Sequence, residues 1–345
     1  MRIAIVTHTT PNIPSKDGLS LILFYLLKQL GEAHTITVIP LDKTSDAQAE
    51  LNRAMDQQAV LYFHGLDALK HLPAVAHYPR VVAGMIDTPS LKFAELAAHE
   101  SGTLAKRRFL KQQATWAAFE QTHLSKVNHI IVGTDADRNA LIKEVGAKPF
   151  INVIPNGVDA DYYSPTNEAE KEHHLVFCGM LEQPVHAQAV TQFIKDVWPL
   201  IKKQHSNLKW LIVGKDPSKQ LVSLAKKDSS LVLTGFVPEV RDFLQHAQLF
   251  VSPLHIRSGM RNTVLEAMAC ALPVVAYADA CGGLEASPIR KVSTPADFAQ
   301  AISTLLNDES LRLQVGALSR KFVMQHHNWA IQAQLYERVF SQAER

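Results

Sequence analysis

The stretch Leu249-Phe250-Val251-Ser252-Pro253-Leu254-His255-Ile256-Arg257-Ser258-Gly259-Met260-Arg261-Asn262-Thr263-Val264-Leu265-Glu266-Ala267-Met268-Ala269 runs from a short apolar strand through a Gly-containing loop into a helix. Pro273 and the β-branched Val274-Val275 then open another strand. Strand, loop, helix and strand in that order make one parallel crossover unit. Backbone N–H groups at a helix start near Asn262 favour an anion such as phosphate, and Arg257 and Arg261 add charge there. Glu266 falls one turn inside the helix, where a carboxylate can accept from a ribose diol. A surface loop, an Asn cap and an ordinary first-turn glutamate account for the same residues, so both readings stand at this point.

The same alternation extends in both directions. Ile3–Val6, Thr35–Ile39, Val60–Phe63, Val81–Ile86 and His129–Val132 read as strands, with helices over Leu19–Leu30 and Leu104–Leu124. A polar segment around 158–172, opened by Pro155-Asn156-Gly157, reads as a linker. Beyond it come strands at Leu175–Cys178, Trp210–Val213, Leu231–Leu233, Leu249–Val251 and Val274–Tyr277. Helices are expected over Gln188–Gln204, Val240–Ala247 and Val264–Ala269. Two doubly wound α/β domains follow from this pattern, and 345 residues divided by about 150 per domain agrees.

Composition closes off other classes. Lys plus Arg number 35 against 33 Asp plus Glu, so no basic excess points to nucleic acid. Three cysteines make neither a disulfide framework nor a four-cysteine metal site, and they suit a reducing cytoplasm. No apolar run approaches the ~20 residues of a spanning helix. Asp135-Ala136-Asp137 fits a metal-binding pattern but opens a helix, where capping explains it. The adjacent pairs His173-His174 and His326-His327 cannot share a metal from one helix face. No metal is expected. Lys106, Arg107, Arg108 and Lys111 form the one basic cluster, read either as a solvated helix face or as a peripheral contact with anionic lipid.

Leu265-Glu266-Ala267-Met268-Ala269 followed by Leu272-Pro273-Val274-Val275-Ala276 is similar to the signature of family 4 (group 1) glycosyltransferases. So, in order, are Ile154-Pro155-Asn156-Gly157-Val158-Asp159, Phe177-Cys178-Gly179-Met180, Leu211-Ile212-Val213-Gly214 and Leu233-Thr234-Gly235-Phe236-Val237. The resemblance is dense over 127–277. It implies a GT-B fold, two Rossmann-like domains facing a central cleft. Residues 1–157 plus 328–345 would form the acceptor-side domain, and 158–327 the nucleotide-sugar domain. The tail after Asn328 would return as a crossover helix, with Trp329, Ile331, Leu335, Val339 and Phe340 at helical spacing.

The resemblance further implies a retaining, metal-independent and cofactor-free hexosyl-type transfer. It would run from a nucleotide-diphosphate sugar to a hydroxyl of a glycan or lipid-linked acceptor. The closest similarity is to sugar transferases of bacterial exopolysaccharide clusters, which act in the cytoplasm or at the inner face of the membrane. The first glutamate of the family's Glu-x7-Glu pair is replaced by Ser258. In the exopolysaccharide subset the amides of a loop such as Gly259-Met260-Arg261-Asn262 would hold the sugar instead. Donor contacts are carried over to Glu266, Arg257, Arg261, Gly179, Gly214, Lys215, Phe236 and Val237. The usual diphosphate-binding lysine after Gly179 is missing from Leu181-Glu182-Gln183-Pro184-Val185-His186. Lys16, Asp17 and Gly18 match a loop placed beside the diphosphate and acceptor.

Asp87, where relatives carry His-Asp, and His64 are the candidates for chemistry. Asp87 also reads as a turn cap, and His64 as a residue turned away from ligand. Loss of the first glutamate and of the lysine keeps a non-catalytic GT-B binding subunit open as a reading, and a nucleotide-sugar epimerase is a third.

Overall fold

Short Val- and Ile-rich runs buried on both faces form parallel sheets covered by helices, because neither face of such a strand tolerates water. A computed structural model shows this twice. It describes residues 1–8, 18–42, 46–75, 77–100, 102–146, 150–166 and 172–345. The chain divides into two units. One comprises Met1–Gly157, Ser258–Met260 and Trp329–Arg345; the other comprises Val158–Arg257 and Arg261–Asn328.

The first unit contains β1 (Arg2–Thr7), α1 (Gly18–Leu30), β2 (Thr35–Pro40), α2 (Ala47–Asp56), β3 (Val60–His64) and α3 (Leu66–Leu69). It continues with β4 (Val81–Ile86), α4 (Pro89–His99), α5 (Thr103–His123), β5 (His129–Val132), α6 (Asp135–Val145) and β6 (Phe150–Val153). The strands lie in the order β2-β1-β3-β4-β5-β6. The order reverses between β1 and β3, so their carboxyl ends flank the crevice where ligands bind in such sheets.

The second unit contains β7 (His174–Cys178), α7 (Pro184–Asp196), α8 (Trp198–Lys202), β8 (Lys209–Val213), α9 (Lys219–Lys227) and β9 (Leu231–Gly235). Then follow α10 (Arg241–His246), β10 (Leu249–Ser252), α11 (Asn262–Ala269), β11 (Val274–Tyr277), β12 (Arg290–Val292), α12 (Pro295–Asn307) and α13 (Glu309–His326). Its order is β12-β11-β10-β7-β8-β9, with the reversal between β10 and β7. The quoted stretch therefore leaves the sheet at its switch point. The single helix expected over Gln188–Gln204 is two helices. Pro199 has no N–H to continue the ladder, and the break falls at Val197.

The final helix, α14 (Trp329–Glu344), belongs to the first unit. Trp329, Tyr336, Val339 and Phe340 pack into a core with Ile3, Ile5, Ile22 and Tyr62. The Trp329 ring stacks on Tyr25 at 4.7 Å and 7°. Ile331, by contrast, is exposed, and Leu335 only borders that core. Asn328, just before this helix, pairs with Val158 in an isolated parallel bridge. A second difference concerns 158–327, expected as one domain: Ser258–Met260 leave it for the first unit. No helix among the described residues is long and apolar enough to cross a membrane.

Candidate functional site

In the second unit the strand ends gather the glycines. Gly179 follows β7 and Gly214 follows β8, and a Cβ on Gly214 would overlap the Gly179 carbonyl, so only glycine permits this approach. The Gly179 amide donates to Val213 O (3.0 Å), and the Gly214 amide to Gly235 O (3.3 Å). His186, in the first turn of α7, accepts from the Met180 amide through Nδ1 at 3.2 Å. Lys215, after β8, lies 3.4 Å from the Glu182 carboxylate, so one cation faces the loop after Gly179. Phe236 is 62% exposed at the end of β9, an unusual position for a large aromatic, with the half-buried Val237 beside it.

α11 begins at Asn262 without a side-chain cap bond. Arg261 reaches back to the Ile256 carbonyl at 2.9 Å, and Arg257 is exposed. Glu266, half-buried in α11, has its carboxyl pushed up to about 7 by burial, offset by a hydrogen bond from Tyr163.

Gly259 and Met260 lie elsewhere, in the first unit. There β4 ends in a strained turn: Ile86 has φ +67, and the Asp87 amide donates to Met85 O at 2.8 Å. A β-branched residue in that region costs about 1–3 kcal/mol, which the surrounding sheet must offset. The turn presents Asp87 at the sheet's carboxyl edge, with Lys92 Nζ 3.3 Å from its carboxylate. Gly259 has φ +72, and a Cβ there would overlap that same carboxylate. The backbone of the loop thus lies directly against Asp87. The Asn156 amide lies 3.3 Å from Met260 Sδ.

Asp137 is fully buried beside this turn. Its carboxylate accepts from the Thr88 amide (2.7 Å), the Gly259 amide (3.0 Å), Ser258 Oγ (3.2 Å) and Thr134 Oγ1. The sequence assigns this residue to capping alone. Thr134 is the cap of α6, accepting from the Asp137 amide, which leaves the Asp137 side chain for the loop. Burial raises its carboxyl above the ordinary aspartate range despite those donors. Glu95 accepts from the Ser258 amide at 3.0 Å. Among the described residues no three His, Cys, Asp or Glu side chains group as metal ligands.

His64 takes a different post from the one expected. It is 2% exposed, with Nε2 2.9 Å from the Leu19 carbonyl and Nδ1 3.0 Å from the Tyr62 hydroxyl. A carbonyl only accepts, so Nε2 carries a proton, and in the neutral ring Nδ1 accepts from Tyr62. The ring pins the start of α1 and has no nitrogen left for a substrate. Gly18 opens α1, while Lys16 and Asp17 lie outside the described residues. Lys106, Arg107, Arg108 and Lys111 are all exposed on α5.

Residues 172–308 match the model of the group 1 glycosyl transferases. The chain is 28% identical over 266 residues to the D-inositol 3-phosphate glycosyltransferase of Kineococcus radiotolerans, covering 65% of this chain and 59% of that one. It is 30% identical over 223 residues to the N,N'-diacetylbacillosaminyl-diphospho-undecaprenol alpha-1,3-N-acetylgalactosaminyltransferase of Campylobacter jejuni, covering 60% and 56%. The matched part thus spans less than two thirds of either relative. In fold, it resembles sucrose-phosphate synthase of Thermosynechococcus elongatus, with TM-score 0.73, 16% identity and 99% of both chains covered. Anabaena HepE in complex with UDP and glucose gives TM-score 0.71 at 14% identity, with 98% of this chain and 99% of that one covered. The fold is GT-B.

Proposed function

We propose, for a chain related to the group 1 glycosyl transferases through residues 172–308, a retaining and metal-independent transfer of a hexosyl group. The donor is a nucleotide-diphosphate sugar and the acceptor a hydroxyl of a surface or exopolysaccharide glycan, or of its lipid-linked precursor. One observation carries this reading: the Gly259 backbone lies against the carboxylate of Asp87. The loop assigned to the sugar and the carboxylate assigned to the acceptor therefore adjoin in the first unit. Asp87 orients the acceptor hydroxyl, while loop amides and Arg257 or Arg261 stabilise the charge developing on the diphosphate. The Gly179 and Gly214 loops, Lys215, Phe236 and Val237 are assigned to the nucleotide.

Glu266 supplies the test. As the ribose acceptor it should work best ionised, because hydrogen bonds to a charged group are worth roughly 1.5–3 kcal/mol. Its carboxyl titrates at about 7 in the free protein, so binding must expel a proton below that pH. Affinity for UDP, the nucleotide bound by Anabaena HepE, should rise with pH and level off above about 7. Glu266→Gln should remove that slope and weaken binding by roughly 1.5–3 kcal/mol. Calorimetry giving the same affinity and slope for folded E266Q would take the residue out of the site.

A lipid-linked acceptor also accounts for α5. Its four cations are exposed, Leu104 is 82% exposed and Leu110 46% exposed. Each Lys or Arg near an anionic surface contributes about 1 kcal/mol. The chain should sediment with phosphatidylserine vesicles at low salt, and charge reversal at Arg107 and Arg108 should release it. Retention of the double variant on the vesicles would refute this surface.

A further inference from the structure

We infer that Asp137 is a positioning residue, which holds the Ser258–Gly259 backbone in the shape that receives the donor sugar; this rests on the transferase reading above. Where the resemblance implies a carboxylate, this chain has Ser258. The structure supplies a carboxylate to that loop from elsewhere. Asp137 accepts from both the Gly259 amide and the Ser258 hydroxyl, and Glu95 takes the Ser258 amide. A carboxylate accepts through two oxygens and donates nothing, so it can gather several donors that an amide side chain cannot.

Gly259 needs that restraint. Its φ of +72 is open to a residue without Cβ, and such a residue has the largest conformational freedom to lose. Asp137 is itself fixed at three further points: Thr134 Oγ1, the Thr88 amide at its carboxylate, and its own carbonyl, which accepts from Thr88 Oγ1 at 3.0 Å. Thr88 directly follows Asp87. One buried carboxylate therefore ties the sugar-side loop to the turn that presents the acceptor-side carboxylate. The neighbouring Glu120 belongs to the same wall: it accepts from the Ser90 amide at 3.0 Å, and burial pushes its carboxyl up to about 7. Near neutrality it carries only part of a charge, which limits its repulsion of Asp137. Sites hold reacting groups through such secondary partners, and slack of about 1 Å there lowers rate without removing a ligand contact.

The experiment compares Asp137→Asn with the wild-type chain by hydrogen exchange, nucleotide binding and transfer kinetics. Exchange at the Ser258 and Gly259 amides should rise at least tenfold, with that of β10 and β11 unchanged. Transfer kcat/KM should fall at least thirtyfold, while the Kd for UDP stays within threefold. A purely structural role would move UDP binding and the β10 amides as well, and that result overturns the inference. So does unchanged exchange at Ser258 and Gly259, whether or not the chain transfers sugar. Faster exchange with unchanged kcat/KM overturns it too. Should D137N not fold, Ser258→Ala removes one donor only, and is expected to lower kcat/KM about three- to tenfold with the same retention of UDP. No loss in folded S258A would then overturn it. A wild-type chain that binds no nucleotide sugar overturns the transferase reading instead, and that measurement precedes the variants.

Discussion

Removal of residues 329–345 should unfold the first unit. α14 contributes Trp329, Tyr336, Val339, Phe340 and Ala343 to the core on Ile3, Ile5 and Ile22, and each is at most 6% exposed. Truncating one buried aromatic costs about 3–5 kcal/mol, and a whole domain is stable by only about 5–15 kcal/mol. Losing the helix also uncovers Tyr62, whose hydroxyl needs the His64 and Tyr336 partners in a fully buried place. Amide exchange in β1, β3 and β4 should approach the unfolded rate in the truncated chain. Phe340→Ala should already lower stability by about 3–5 kcal/mol in urea titration. Undiminished protection of those three strands after truncation would show that α14 is dispensable to that core.

The second large effect is chemical. Asp87→Asn keeps the shape on which Gly259 packs but removes the charge that we propose orients an acceptor hydroxyl. Positioned acids and bases contribute about 10²- to 10⁴-fold, so kcat for transfer should fall by about that range. UDP affinity should stay within a few-fold, since none of the residues assigned to the nucleotide is altered. Lys92→Ala, which removes only the cation 3.3 Å from the carboxylate, should have a smaller effect in the same direction. A kcat for D87N within fivefold of wild type would take Asp87 out of the chemistry. The strain at Ile86 gives that assignment weight, because a β-branched residue at φ +67 persists only where the fold over-determines it.

The helix and the carboxylate, one structural and one chemical, stand differently toward the sequence. The stripe of Trp329, Val339 and Phe340 announces a helix with one buried face, and position along the chain says nothing of which sheet receives it. The resemblance implied a return to the first domain, and in the structure Trp329 stacks on Tyr25 and Phe340 lies against Tyr62 there. Asp87 is legible as a carboxylate after a buried strand, since every such strand end faces the ligand side of its sheet. His64 follows the same rule, yet its ring turns inward to Tyr62 and Leu19. Strand periodicity fixes which end a residue occupies; at the last position, neighbours decide where the ring goes.

By itself the sequence determined most of the strands, because buried parallel strands need continuous Val- and Ile-rich runs; the edge strand β12, three residues long and only partly buried, has no such run. It determined the doubly wound class from their alternation with helices, and its resemblance to a known family pointed to Glu266 and the glycine loops. Tertiary structure alone decided that Ser258–Met260 leave the unit around them, and that Asp137 is more than a helix-capping acid. The physical reason is range. Helix, strand and cap are written in residues at most a few places apart, whereas the bond from Gly259 to Asp137 joins positions 122 apart, and only a folded chain brings its donor and acceptor within 3.0 Å.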